Sequence, residues 1–179
     1  MKIHSLFLTL FCVICFSANA QVDDFQQDIM DLLNNNGTNL QFEESYDTTF
    51  NTLQKQFISA NVPTAFWEQL RQDKQEAIQE LIAFTTFAYR KYFTRPEIQE
   101  MTAFYSTEAA QKRFIENAPL SETETETINQ FFQSDVWAKH ETQQQSLSKD
   151  LSEIRKHWSR DLFAKKMSAL VKAGFIPQQ

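Results

Sequence analysis

Along most of this chain apolar residues return every three or four positions, and the polar residues between them gather into short breaks. That period predicts helices. Phe25, Ile29, Leu32 and Leu33 give one over about 22–34, closed by the Asn34-Asn35-Asn36-Gly37 run. Phe42, Tyr46, Phe50, Leu53 and Phe57 step by 4, 4, 3 and 4, the stripe of a second helix that starts at Thr38, with Gln41 placed to complete a capping box. A third segment opens at Pro63 and runs through Trp67, Leu70, Ile78, Leu81, Phe84, Ala88 and Tyr92, with a break expected near 71–75 where polar residues crowd the pattern. Leu147, Leu151, Ile154, Trp158, Leu162, Met167 and Leu170 mark the apolar side of a last segment over 134–173. Its stretch 140–146 is polar throughout, which leaves one helix or two open.

Between these segments the pattern repeats at an offset of 27 residues. Thr94, Glu97, Met101, Phe104, Tyr105, Thr107, Glu108 and Lys112 return as Ser121, Glu124, Ile128, Phe131, Phe132, Ser134, Asp135 and Lys139. Each copy opens with a hydroxyl residue and a Glu three places on, carries apolar residues at helical spacing and ends on an aromatic pair before a second hydroxyl. This is the grammar of helix capping and packing. Two copies are too few for a free-standing solenoid. The expected fold is therefore all-α, a single helical bundle of about six or seven helices that includes two stacked helical-hairpin repeats. The chain has only two glycines, Gly37 and Gly174, each after a helical run, and its four prolines fall at proposed boundaries. Strand-rich folds need more turn residues than this.

The N-terminus changes the picture of compartment. Lys2, the apolar run from Leu6 to Phe16 and the small-residue pattern Ala18-Asn19-Ala20 have the three parts of a cleavable secretory signal, so 1–20 reads as a signal peptide and 21–179 as one exported domain, periplasmic or extracellular. The run is too short to span a bilayer. Cys12 and Cys15 leave with that segment, and the remaining chain has no cysteine for a disulfide, a nucleophile or a thiolate metal site.

Charge is uneven. Residues 21–148 hold 9 basic and 20 acidic side chains, whereas 149–172 hold 7 and 3. The acidic balance argues against nucleic-acid binding. The C-terminal basic amphipathic helix, 140–174, has two readings: it packs on the acidic body with Lys165, Lys166 and Lys172 near a helix C-terminus, or it touches anionic lipid or an acidic partner.

Candidate chemistry is sparse. Glu153, His157 and Asp161 lie at i, i+4 and i+8 and offer a weak metal alternative, but no second helix supplies a histidine to close a shell. Ser106, Thr107 and Ser134 stand at helix starts, where their oxygens cap backbone amides. Acidic runs such as Glu122, Glu124 and Glu126 read as solvated charge. No catalytic residues and no cofactor are assigned. The binding candidates are Tyr105, Lys112, Phe132 and Lys139, an aromatic and a cation that recur in both copies. The surplus of aromatics, 17 Phe in the whole chain, mainly fills the core, with a groove for an apolar ligand as the alternative.

The segment from Phe93 to Lys112, FTRPEIQEMTAFYSTEAAQK, resembles the signature of the bacterial secreted family known as domain of unknown function 2059. Glu97, Ile98, Phe104, Tyr105, Ser106 and Lys112 carry the resemblance, which extends over roughly 63–120 with 121–139 as a looser second copy; Ala110 stands where the family often has Gly. The resemblance implies a secreted or periplasmic helical protein and supplies no catalytic residue, cofactor or mechanism. The function expected is a non-enzymatic exported helical protein acting through protein or cell-envelope contacts, with an apolar small-molecule carrier as the alternative and a hydrolase or metal protein behind it. Partner identity and oligomeric state are not written in the sequence.

Overall fold

A computed structural model describes residues 23–178; the signal segment, Cys12, Cys15 and the cleavage position after Ala20 lie outside the described residues. Helices α1 (Asp24–Asn35), α2 (Thr38–Gln56), α3 (Thr64–Arg71), α4 (Lys74–Tyr92), α5 (Arg95–Tyr105), α6 (Glu108–Gln111), α7 (Glu122–Phe132) and α8 (Asp135–Lys172) follow in order, with no strand among the described residues. Seven of them have at least eight residues. The one-turn α6 continues into a π turn, Lys112–Glu116.

Helix α4 is the centre, packed by α1 and α2 on one side and by α8 on another, while α5 lies along α1. The α2 stripe is buried throughout, from Phe42 to Phe57. Thr85 and Thr86 are buried inside α4 because each hydroxyl donates within the helix, to the Leu81 carbonyl at 2.8 Å and the Ala83 carbonyl at 2.7 Å. The break expected near 71–75 occurs at Gln72 and Asp73.

Helix α8 is one unbroken rod of 38 residues. Its polar stretch keeps the helical period: Val136, His140, Gln143 and Leu147 step by 4, 3 and 4, and the first and last are buried while the two polar side chains between them are half-buried. His140 stacks beside Trp137 and Phe93, at 5.0 and 6.2 Å between ring centroids.

Both glycines adopt the left-handed conformation that ends a helix, with φ of 82° at Gly37 and 92° at Gly174. A Cβ on Gly37 would also meet Ile115 Cδ1 at 2.8 Å, so this corner needs glycine twice over. After Gly174 the Phe175 amide donates to the Leu170 carbonyl and its ring packs edge-on against Phe66. Ile176, the next residue, does not follow it inward and stands 79% exposed.

One cap differs from expectation. The Thr38 and Gln41 side chains form no box; Gly37 itself is the N-cap, and the Thr38 amide donates to Asn36 Oδ1 at 3.0 Å. The two-residue corner between α1 and α2 holds Thr38 inside the helix, where its hydroxyl cannot reach the third amide.

Candidate functional site

The two copies of the repeat pack face to face, and their equivalent residues meet. Phe104 of α5 and Phe131 of α7 stack in parallel, 3.7 Å between centroids and 3° between planes. Around that stack the contacts come in matched pairs: Phe104 faces Phe132 at 6.5 Å, and Tyr105 faces Phe131 at 6.3 Å. Each copy starts with the complete capping box, Thr94 with Glu97 and Ser121 with Glu124. The lysines then cross over. Lys112 of the first copy donates to Glu124 of the second at 2.5 Å, and Lys139 of the second donates to Glu97 of the first at 2.7 Å. Contacts of i with j and j with i are the mark of a two-fold relation, here within one chain.

Each capping glutamate therefore holds a helix N-terminus and the partner copy's cation together. The Lys112 ammonium and the Ser121 backbone amide bring the Glu124 carboxyl down to about 2. Partial burial raises that of Glu97, and the bonds from Lys139 and Thr94 outweigh it, leaving the carboxyl below its ordinary value. Glu124 is thus not the solvated charge expected of the 122–126 run. Of the four binding candidates, Lys112 and Lys139 are engaged inside the repeat, Tyr105 is half-buried against Phe114, and Phe132 is 38% exposed beside Trp137. The two aromatics pack around the stack, and the two lysines close the crossed ion pairs.

A different feature faces solvent. Helices α4 and α8 run antiparallel, tied by Lys165 to Asp73 at 3.2 Å, by Trp158 Nε1 donating to the Ala77 carbonyl at 3.0 Å, and by the Tyr92 hydroxyl donating to Asp150 at 2.7 Å. Between them lies a groove of about 630 Å³ whose floor includes Phe84, Phe87, Ile154 and Trp158. Phe84, expected to face inward, is 48% exposed, and Phe87 is 65% exposed. The inward face of α4 is already filled by Leu81, Thr85 and Ala88, so Phe84 is turned to the outside. Glu76, Glu80, Phe84 and Phe87 step by 4, 4 and 3 and form one outward stripe. That spacing was the available signal; it is masked because α4 carries apolar residues on more than one face.

The weak metal candidates Glu153, His157 and Asp161 all line this groove. They are strung along one side of α8 instead of converging, and among the described residues no group of three His, Cys, Asp or Glu side chains can hold a metal. Lys165 and Lys166, from the basic helix, both pair with Asp73. Lys166 is buried, and its ammonium also donates to the Leu70 carbonyl at the end of α3. Burial raises the Asp73 carboxyl, and the two ammonium groups more than offset it, so it stays below the ordinary range. No helix among the described residues is long and apolar enough to cross a membrane.

With this geometry in place, comparison with known families decides one point. Residues 79–119 match the DUF2059 family, described as an uncharacterized protein conserved in bacteria. The match includes the 93–112 segment that carries the resemblance and is shorter than the 63–120 expected, since it begins after Pro63 and Trp67. The DUF2059 segment takes in most of α4, with Glu80, Phe84 and Phe87, and the whole first copy of the repeat. The second copy and α8 lie beyond it. No curated protein and no solved structure matches the chain significantly.

Proposed function

We propose that the protein is an exported, non-enzymatic helical protein that acts by protein contact, and that the α4/α8 groove is its contact face. One observation carries this reading: two phenylalanines three residues apart, Phe84 and Phe87, stand exposed on the floor of a groove. Large aromatics are the residues from which interfaces draw most of their energy, and a solvated pair costs free energy until covered. Glu97, Glu124, Lys112 and Lys139 cap helices or close ion pairs, and Lys165 and Lys166 pair with Asp73, which supports a non-enzymatic role. Export rests on the signal-like pattern of 1–20.

The carrier reading draws on the same groove, since its volume is within the range of small-ligand sites. Its half-open shape and charged rim favour a protein partner. A photo-crosslinking amino acid at Phe87, with one at Asn129 on α7 as control, tests this in the protein's own host. A discrete protein adduct from position 87 alone is expected, on a product whose mass begins at Gln21. Adducts only to small apolar molecules would replace this reading with the carrier, and equal labelling from both positions would remove it.

A further inference from the structure

Resting on that contact-face reading, we propose that the occupant of the α4/α8 groove is a cationic amphipathic helix of about three to four turns. The floor sets the length. From Glu76 to Phe87 the outward stripe of α4 covers twelve residues, about 16 Å of helix axis, and the facing part of α8 from Glu153 to Lys165 is of similar length. Two antiparallel helices with an apolar furrow between them present the surface that a third helix fills with residues at i, i+3, i+4 and i+7. They offer no sheet edge to an extended peptide.

The rim sets the charge. Glu76 and Glu80 flank the furrow on α4, Glu153 and Asp161 on α8, and all four are exposed. Among the described residues Glu76, Glu80 and Glu153 have no ion-pair partner, and Asp161 pairs only with its exposed neighbour Arg160. The lysine at the rim, Lys165, is engaged by Asp73 at one end. The other basic group there is the His157 imidazole. Such a rim repels anionic lipid headgroups and selects Lys or Arg on both flanks of an apolar stripe. A second copy of this chain fits poorly, because its own basic run on α8, the half-buried Arg155 with the exposed Lys156 and Arg160, is flanked by Ser152 and Ser159 and offers no apolar ridge.

The test uses the purified protein and two fluorescein-labelled peptides of about 14 residues, end-blocked amphipathic helices built from Leu and Lys or from Leu and Glu. Fluorescence anisotropy is expected to show saturable binding of the Leu/Lys peptide and none of the Leu/Glu peptide. Glu76→Gln, Glu80→Gln and Glu153→Gln together should weaken binding about tenfold, as three exposed charge contacts at a few tenths to one kcal/mol each imply. Phe84→Ser with Phe87→Ser should abolish it, with circular dichroism verifying that the variants remain helical. Equal binding of both peptides, or Leu/Lys binding that survives loss of the phenylalanines, overturns the proposal. Failure of both peptides while position 87 still crosslinks a protein overturns it and leaves the contact-face reading standing; failure of both experiments removes the two together.

Discussion

Glu97→Gln and Glu97→Ala divide the work of one carboxylate between the helix it caps and the lysine it holds. Glu97 Oε2 accepts from the Thr94 amide at 2.7 Å and from Lys139 Nζ at 2.7 Å, with Oε1 taking a second contact from Nζ at 2.8 Å. Glutamine keeps an acceptor for the amide and loses the charge. Alanine loses both. The Glu97 and Lys139 side chains are 26% and 34% exposed, so the pair is worth less than a buried one and more than a fully solvated one, about 1 kcal/mol. The cap adds about 1 kcal/mol. The expected losses in urea unfolding are about 1 kcal/mol for Glu97→Gln and about 2 for Glu97→Ala, without change in m value.

A double-mutant cycle with Lys139→Met isolates the pair, with an expected coupling of about 0.5–1 kcal/mol. The pH dependence supplies a second readout. Because the folded carboxyl lies below its ordinary 4.5, its contribution is complete above that pH and drains away as pH falls through the folded value. Glu97→Gln should flatten the acid side of the stability profile and leave the neutral side parallel to wild type. Equal losses for Gln and Ala, with no coupling to Lys139, would refute the claim that the crossed ion pairs tie the two copies together.

Two further perturbations probe other parts of the bundle. Asp73→Ala strands the Lys166 ammonium, which is 4% exposed, with a single carbonyl partner, and is expected to cost about 3 kcal/mol by urea unfolding; Asp73→Ala with Lys166→Met should recover much of it. His140 has its Nδ1 buried without a partner, and burial lowers the imidazole's proton affinity despite Glu141 beside it. Its contribution is complete above the ordinary 6.5 and is lost as pH falls from there through the folded value, so thermal unfolding should show a loss between neutral and mildly acid pH that His140→Phe removes.

What the sequence discloses depends on how far apart in the chain the interacting residues are. The boxes at Thr94 and Ser121, the stripe from Phe42 to Phe57 and the left-handed glycines depend on partners within four or five residues, and each was readable from spacing alone. The repeat offset named both glutamates and both lysines, yet the exchange between copies depends on a face-to-face packing that no local spacing encodes. Hence Lys112 and Lys139 read as a surface pair when they close an internal one. The same distance dependence explains α8. Its polar run supplies no apolar stripe and so leaves one helix or two open in the sequence, while in the fold His140 and Gln143 hold the inward positions that Val136 and Leu147 set.

The groove is the reverse case. Helix α4 has apolar residues on two faces, and only the neighbours decide which face is the core. Leu81, Thr85 and Ala88 are covered by other helices, and Phe84 and Phe87 are left outside. Had α4 a single apolar stripe, this side of the bundle would carry no exposed aromatic pair. Its second stripe, two glutamates followed by two phenylalanines, lies on the side that the fold leaves unfilled. The proposed partner rests on that surplus: apolar side chains that the bundle does not bury gain from burial only when something else covers them.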